Sequence, residues 1–174
     1  MHDAIKFTYN VSGDDFTRAG EASSDVKGKL KKMNVPPDAV RKVAISMYEG
    51  EINMVIHADG GQITVEITKD CITMILADKG PGIKDIDQAM QAGFSTAPDN
   101  IRTLGFGAGM GLPNMKKYSD DMKIETELGV GTTVTMKVFI RYRKIYMQFT
   151  NEKRGYKWIS IIPFISLARY VRGV

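Results

Sequence analysis

The sequence predicts an α+β fold, a two-layer sandwich in which helices cover one face of a mixed, largely antiparallel sheet. Two observations predict this class. Segments that alternate apolar and polar residues, as half-buried strands do, arrive mostly as adjacent pairs, and the helical segments lie between them. Paired strands with helices gathered between them are typical of a sheet covered on one face. The 174 residues, 43% hydrophobic and 25% charged, suit one ordinary globular domain with modest extensions.

The net charge is unevenly distributed along the chain. Residues 141–174 carry eight Lys or Arg against Glu152 alone, so their +7 leaves −3 of the total +4 for residues 1–140. The pI of about 9.1 therefore belongs to the tail, and no direct nucleic-acid binding is expected of the main domain. The sequence predicts a domain over residues 1–140 and a basic, partly apolar extension over residues 141–174.

The cysteine content and the lengths of the apolar segments indicate in which cell compartment the protein works. One cysteine, Cys71, cannot form an intramolecular disulfide or supply a four-cysteine zinc site. No window approaches the roughly 18 apolar residues of a membrane-spanning helix, and the first residues show no secretion signal. A cytoplasmic location is expected.

The predicted elements follow in a clear order. Residues 5–11 alternate and predict a strand, after which Asp14 or Asp15 is placed to cap a helix. The apolar positions of that helix follow helical spacing: Phe16, Ala19, Val26, Leu30 and Met33. A long helix is predicted over about residues 38–58. The remaining segments are strands at 63–69 and 71–77, a short helix at 83–92, a glycine-rich loop at 93–111, a short helix at 112–118, and a hairpin of residues 122–127 and 132–140.

Three polar residues share one face of the long predicted helix. Glu49, Asn53 and His57 are spaced four apart, so at about 100° per residue they spread over only about 80°. A solvated helix face gives the same pattern, so the row alone leaves both interpretations open. Asp78 ends an apolar strand and begins the sequence DKGPG, which suits either contact with a ligand or a tight turn.

Glycine occupies every second position of the sequence GFGAGMG at residues 105–111, just before a predicted helix. Glycines let the backbone approach a ligand closely, and N–H groups at a helix start attract phosphate oxygens. Neither the P-loop pattern GxxxxGK[ST] nor the dinucleotide pattern GxGxxG is present. A flexible hinge is the alternative interpretation of this run.

Taken together, these motifs resemble those of the GHKL ATP-binding superfamily and its Bergerat fold. The arrangement is E-x3-N-x3-H on a helix, D-x-G-x-G after a strand, a glycine-rich lid, and G-x-G-T-T at residues 129–133. More closely, DKGPGIKDIDQAMQAGFST and GMGLPNMKKYSDDMKIETELGVGTT look like the small bacterial anti-sigma-factor and switch serine/threonine kinases. The resemblance covers roughly residues 5–140, with all the motifs in order.

The resemblance implies ATP and Mg²⁺ as cofactors and assigns a role to each motif. Asn53 would coordinate Mg²⁺, Glu49 would activate the attacking hydroxyl, and Asp78 would accept a hydrogen bond from the adenine amino group. Thr133, with Thr132, would reach adenine directly or through water, and His57 and Lys79 would add positive charge. The remaining implied contacts come from glycines that let the chain pass the nucleotide and from their lid neighbours: Gly80, Gly82, Gly105, Gly107, Gly109, Met110, Gly111 and Leu112.

Three functions are compatible with this resemblance. The first is a serine/threonine kinase that acts on a small antagonist-type regulatory protein, with a sigma factor as a second partner and a homodimer as an allowed state. The second is a non-catalytic anti-sigma or partner-binding module that uses ATP only to set its conformation. The third, a histidine-kinase-type ATPase domain, is disfavoured because the only histidines are His2 and His57, and neither lies on a helix preceding the domain.

The sequence departs from the resemblance at two places, and the resemblance does not cover the tail. Gly50 stands where a helix former is expected, and residues 97–103 lengthen the lid. For the tail, with its apolar stretch at residues 158–168, three interpretations remain: an accessory strand and helix packed on the domain, a surface for self-association or partner docking, and attachment to an anionic membrane. Membrane contact is the least favoured, because Pro163 interrupts any continuous amphipathic helix.

Overall fold

The computed structural model describes residues 4–13, 15–58, 60–103, 105–142, 145–150 and 157–162. The chain divides into two compact units, Met1–Ile140 and Arg141–Val174. Each unit has its own sheet, with five strands in the first and two in the second. Among the described residues, no helix combines the length and the apolar character needed to cross a bilayer.

The first unit is built on one open sheet in the order β1-β2-β3-β5-β4. All four pairings are antiparallel, so the largely antiparallel sheet that the sequence predicts is antiparallel throughout the described strands. Its strands are β1 (Ile5–Ser12), β2 (Gly60–Ile67), β3 (Cys71–Asp78), β4 (Asp121–Glu127) and β5 (Gly131–Phe139). The central strand β3 pairs Met74 with Val65 on one side and with Met136 on the other.

Strand alternation gives the sheet one buried face and one partly exposed face. On the buried face, successive inward positions of β2, β3 and β5 are almost completely covered: Ile63, Val65, Ile67, Ile72, Met74, Leu76, Val134, Met136 and Val138. They form one core with helices α1 (Glu21–Lys32) and α2 (Pro37–His57). Because the period of a strand is two, the intervening threonines on the other face are only partly covered. The predicted two-layer α+β class is confirmed.

Helix α1 begins later than the sequence predicts. Phe16 and Ala19 lie in turns before the helix, and Asp15 is used locally, accepting hydrogen bonds from the Thr17 N–H at 3.1 Å and hydroxyl at 2.5 Å. The start of α1 is instead bound by the side chain of Glu51, which lies on α2. A cap supplied by a residue about thirty positions away leaves no local signal, so the predicted start was wrong.

Three short helices lie between β3 and β4; two differ in span from the prediction, and one was not predicted. Helix α3 covers only Ile86–Ala89, where Asp85 caps it by accepting a hydrogen bond from the Gln88 N–H at 2.9 Å. The long predicted loop contains helix α4 (Asp99–Thr103), formed by the segment that lengthens the lid. Helix α5 (Gly111–Lys117) packs against α2 and leads into β4.

The second unit contains strands β6 (Ile145–Thr150) and β7 (Lys157–Ile162), paired antiparallel from Ile145 with Ile162 to Thr150 with Lys157. The strand predicted for the tail is therefore present as a hairpin. The helix that one interpretation places after it, and the part of the apolar stretch beyond Ile162, lie outside the described residues.

Candidate functional site

A cavity of about 780 Å³ opens between α2, the end of β3, the lid and α5. The row of polar residues predicted on α2, consisting of Glu49, Asn53 and His57, forms one wall of it. The solvated-face interpretation of this row is thus replaced by a shared cavity. Apolar side chains complete the wall near the core: Ile52, Met54, Leu76, Met115 and Val134.

Glu49 is half-buried at this wall, and its carboxylate is held from α5. The side-chain amide Nδ2 of Asn114 donates to Oε1 of Glu49 at 2.7 Å. Oε2 receives no hydrogen bond from any side chain or backbone group in the described part of the chain. One oxygen of the carboxylate is therefore held, while the other keeps its full capacity to accept a proton or a hydrogen bond.

Asn53 and His57 continue the wall toward the end of α2. Asn53 places Nδ2 3.7 Å from the sulfur of Met115, a weak acceptor. Nδ1 of His57 lies 3.5 Å from the Thr96 hydroxyl oxygen. Burial lowers the pKa of the His57 imidazole. Burial disfavours the charged form of the imidazole, and this opposes the expectation that His57 adds positive charge to the site.

Asp78 ends β3 at the cavity and is held by two backbone groups. Its Oδ1 accepts hydrogen bonds from the N–H of Gly80 at 2.8 Å and of Thr132 at 3.0 Å. Both bonds end on the same oxygen, and Oδ2 accepts none from the described residues. Oδ1 of Asp78 shapes the local turn, and Oδ2 remains available to a ligand. The two interpretations of DKGPG, a tight turn and a ligand contact, are therefore compatible.

Three predicted site residues do not reach the cavity wall. Lys79 is exposed, and buried Gly80 packs against the end of α2, where an added Cβ would lie 2.7 Å from Cβ of Ala58. Thr133 lies on the other face of the sheet, whereas Thr132 is buried at the wall together with Val134. Of the two threonines, the one at the wall is therefore Thr132 and not Thr133. The sequence contains a signal for this, because Thr132 lies an even number of positions from apolar Val134 and Met136 and so shares their face of the strand.

The lid wraps the opposite side of the cavity, and the predicted residues Gly105, Gly107, Gly109, Met110, Gly111 and Leu112 all line it, as does Gly82. Gly109 has a φ of 73°, and a Cβ there would lie 2.6 Å from the Phe94 carbonyl oxygen. Its own carbonyl accepts a hydrogen bond from the Gly93 N–H at 2.9 Å. These contacts close the two ends of the lid on each other, so the glycine run shapes a folded loop.

Sequence reasoning missed two residues next to the site. Asn114 follows the glycine run by three positions, one turn into α5, and that spacing was the available signal. Glu51 is only 2% exposed and accepts hydrogen bonds from the N–H groups of Gly20, Ala22 and Ser23 at 3.0, 3.1 and 2.9 Å. Its position two residues after Glu49 places it off the polar row of α2, but nothing in the sequence marks it as the acceptor for the start of α1.

The chemistry of the wall is divided. Asp78, Thr132 and the apolar core residues form one part, which suits a flat, partly apolar group with a hydrogen-bond donor at its edge. Glu49, Asn53 and the lid glycines form another part, which offers oxygen ligands and backbone N–H groups. Such a cavity fits an elongated ligand with an aromatic base and anionic groups.

Comparisons with known proteins agree with this geometry. Residues 48–141 match the family of histidine kinase-, DNA gyrase B- and HSP90-like ATPases. An anti-sigma F factor of Caldanaerobacter subterraneus subsp. tengcongensis is 36% identical over 141 residues, 78% of this chain and 92% of the relative. One of Geobacillus thermodenitrificans is 32% identical over 150 residues, 83% of this chain and 94% of the relative.

A solved structure supports the fold alone. The RsbU and RsbW domains of Rv1364c from Mycobacterium tuberculosis share 12% identity with this chain at a TM-score of 0.54, over 79% of this chain and 33% of that one. The resemblance drawn from the motifs is confirmed by these matches, and the family's ATPase domain implies that the chain binds ATP. The chain belongs to the histidine kinase-, DNA gyrase B- and HSP90-like ATPase family, and within it to the group of anti-sigma factors and switch kinases.

Proposed function

We propose that this protein is a cytoplasmic switch kinase that transfers the γ-phosphate of ATP to a serine or threonine of a small antagonist-type regulatory protein. The observation that carries the proposal is the Glu49 carboxylate, which lines the cavity, is held through one oxygen and keeps the other available. Phosphoryl transfer needs positioning and charge neutralisation, together with a group that takes the proton of the attacking hydroxyl. Glu49 is suited to that last role.

The nucleotide roles follow the division of the wall. Asp78 accepts a hydrogen bond from the adenine amino group through Oδ2, and buried Thr132 lies beside it. The lid glycines, from Gly105 to Gly111, offer backbone N–H groups to the phosphates. The apolar residues near Leu76 contact the faces of the base.

Mg²⁺ fits the donor set as an ion that arrives with the nucleotide. No group of three or more His, Cys, Asp or Glu side chains among the described residues is placed to hold a metal ion. Mg²⁺ usually keeps several waters and takes one or two protein oxygens together with substrate phosphates. The side-chain oxygen of Asn53 supplies one such ligand, and the bound ion would neutralise phosphate charge.

Transfer exchanges one bond at the γ-phosphorus for another. The oxygen of the acceptor hydroxyl forms a bond to the γ-phosphorus, and the bond from that phosphorus to the β,γ-bridging oxygen breaks. The electron pair of that bond leaves with ADP. The hydroxyl proton passes to Oε2 of Glu49 and from there to solvent, which restores the carboxylate.

The test is phosphorylation of a captured partner. The tagged protein is expressed in its native host and recovered with the proteins that bind it, which are then incubated with Mg²⁺ and γ-labelled ATP. Label on a serine or threonine of one small partner, present with the parent and lost with Glu49→Gln, is the expected result. A bound partner that never takes up label contradicts the kinase assignment.

A second candidate function is supported by the relatives, which are named anti-sigma F factors. In this alternative ATP sets the conformation of the domain, and the domain sequesters a sigma factor without modifying any protein. Retention of a sigma factor that depends on ATP, with no phosphorylated product in the same preparation, would favour it over the kinase.

A further inference from the structure

The geometry points to Asn114 as a positioning residue that orients Glu49 by holding one oxygen of its carboxylate. The inference rests on the proposed function, since it gives Glu49 a proton to accept. Asn114 lies on α5 and Glu49 on α2, 65 positions apart in sequence, and their 2.7 Å hydrogen bond joins the two helices at the cavity. In the described residues this amide is the only hydrogen-bond donor to Glu49.

Two glycines let the helices approach closely enough for this bond. A Cβ on Gly50 of α2 would overlap the Leu76 side chain and lie 3.2 Å from Cε of Met115 on α5. A Cβ on Gly111 of α5 would lie 2.9 Å from the side-chain oxygen of Asn53. The unexpected Gly50 beside the carboxylate thus has a packing explanation: the helix interior loses some helix propensity and gains close contact with Leu76 and Met115.

Close packing also fixes which α5 residue faces Glu49. Met115 is 1% exposed and fills the space beside Gly50, so α5 cannot rotate without opening the core. With Met115 directed inward, the preceding residue, Asn114, lies about 100° around the helix at the edge of the contact, where it reaches Glu49. The packing of Met115 in the core therefore sets the orientation of the Asn114 amide.

An amide is chemically suited to this position. Its N–H group donates to the carboxylate without adding a charge, so it directs Oε1 while the charge of Glu49 remains available for the hydroxyl proton. A glutamate side chain has three rotatable bonds, and holding one oxygen removes most of that freedom. An orientation error of the order of 1 Å at a reacting group lowers rates severely.

The test uses turnover of Mg·ATP with water as the acceptor, measured for the full chain so that no partner is needed. Asn114→Leu keeps the approximate shape and removes the donor, and we expect kcat to fall about tenfold with KM for Mg·ATP changed less than twofold. Asn114→Asp places a second carboxylate against Glu49 and should lower kcat at least as much. Asn114→Gln retains an amide donor and should stay within about threefold of the parent.

Lys116→Ala is the matched control, because Lys116 is exposed on the same helix. The decisive measurement is the double variant. If Asn114 acts only through Glu49, Asn114→Leu should change kcat less than twofold in a Glu49→Ala background. A merely structural role would lower the rate equally in both backgrounds, and that result would overturn the inference.

The remaining outcomes separate the inference from the proposed function. Slow turnover by Glu49→Ala together with normal turnover by Asn114→Leu overturns the inference alone. Non-additive loss at the two positions, with no labelled partner in the capture experiment, supports the inference and contradicts the kinase assignment. If the parent does not turn over Mg·ATP with water, the same variants are compared by labelling of the captured partner. A parent that is inactive in both assays overturns the inference, because Glu49 then has no reaction to serve.

Discussion

Helix α2 carries two glutamates, Glu49 and Glu51, with opposite environments. Two positions in an α-helix lie roughly 200° apart, so one side chain faces the cavity and the other faces α1. Glu51 is 2% exposed and accepts three backbone N–H groups from residues at the start of α1. Glu49 is half-buried, accepts one side-chain amide and keeps Oε2 available.

The number of hydrogen bonds that a carboxylate accepts from the protein separates a structural carboxylate from one that is available to a ligand. A carboxylate that accepts three N–H groups in the interior is bound to the fold, and removing it leaves those groups unpaired. A carboxylate with an available oxygen at a cavity wall can act on a ligand. Asp78 lies between the two, because Oδ1 accepts two backbone N–H groups while Oδ2 accepts none from the described residues.

The largest expected effect is the loss of phosphotransfer when Glu49 is replaced. Glu49→Ala should lower phosphotransfer to the captured partner by about 100-fold or more, as expected of general-base catalysis, while Mg·ATP binding changes little. Transfer is measured by label incorporated per minute, and binding by calorimetry. Normal transfer by the variant would remove Glu49 from its assigned role.

The opposite phenotype is expected for Glu51→Ala. Three backbone N–H groups lose their acceptor, so the free energy of unfolding should fall by about 2 to 4 kcal/mol. Denaturant titration measures it, with Glu66→Ala as control. The side chains of the Lys6–Glu66 ion pair are 58% and 37% exposed, and a pair this open to solvent should contribute only about 0 to 1 kcal/mol. Equal stability of Glu51→Ala and the control would break the distinction between the two glutamates.

Asp78→Asn tests the intermediate case. The backbone donors of Gly80 and Thr132 require an oxygen at Oδ1, which places the new NH2 group where Oδ2 stood. A donor then meets the adenine amino group, and ATP and ADP should bind more weakly by about 1 to 3 kcal/mol, or roughly fivefold to 150-fold. Calorimetry with both nucleotides measures the loss, and unchanged affinity would show that Asp78 does not contact adenine.

The smallest effect concerns His57 and pH. Burial lowers the pKa of the folded imidazole, so below about pH 6.5 the unfolded state binds more protons than the folded state. The free energy of unfolding should therefore fall as the pH drops from 7.5 to 5.5. His57→Gln should show less of this fall in denaturant titrations at the two pH values, whereas an identical fall in both proteins would assign the pH dependence to other groups.

Some features of this fold were predictable because their causes are local. The alternation in β2, β3 and β5 and the helical spacing in α2 reflect one buried face, so their spans were predicted within a few residues. The start of α1 was not predictable, because Glu51 binds it from another helix. The same holds for the bond between Asn114 and Glu49, which connects residues with no shared periodicity.

By itself the sequence determined the α+β class and the order of the elements, and most of the site residues that it predicted line the cavity, because side-chain periodicity and glycine positions act over short distances. Only the tertiary structure decided how the residues of each motif are placed: Thr132 rather than Thr133 at the wall, partial burial that lowers the pKa of His57, and different partners for Glu49 and Glu51. Burial and hydrogen bonding depend on which distant elements pack against a side chain, and packing exists only once the chain has folded.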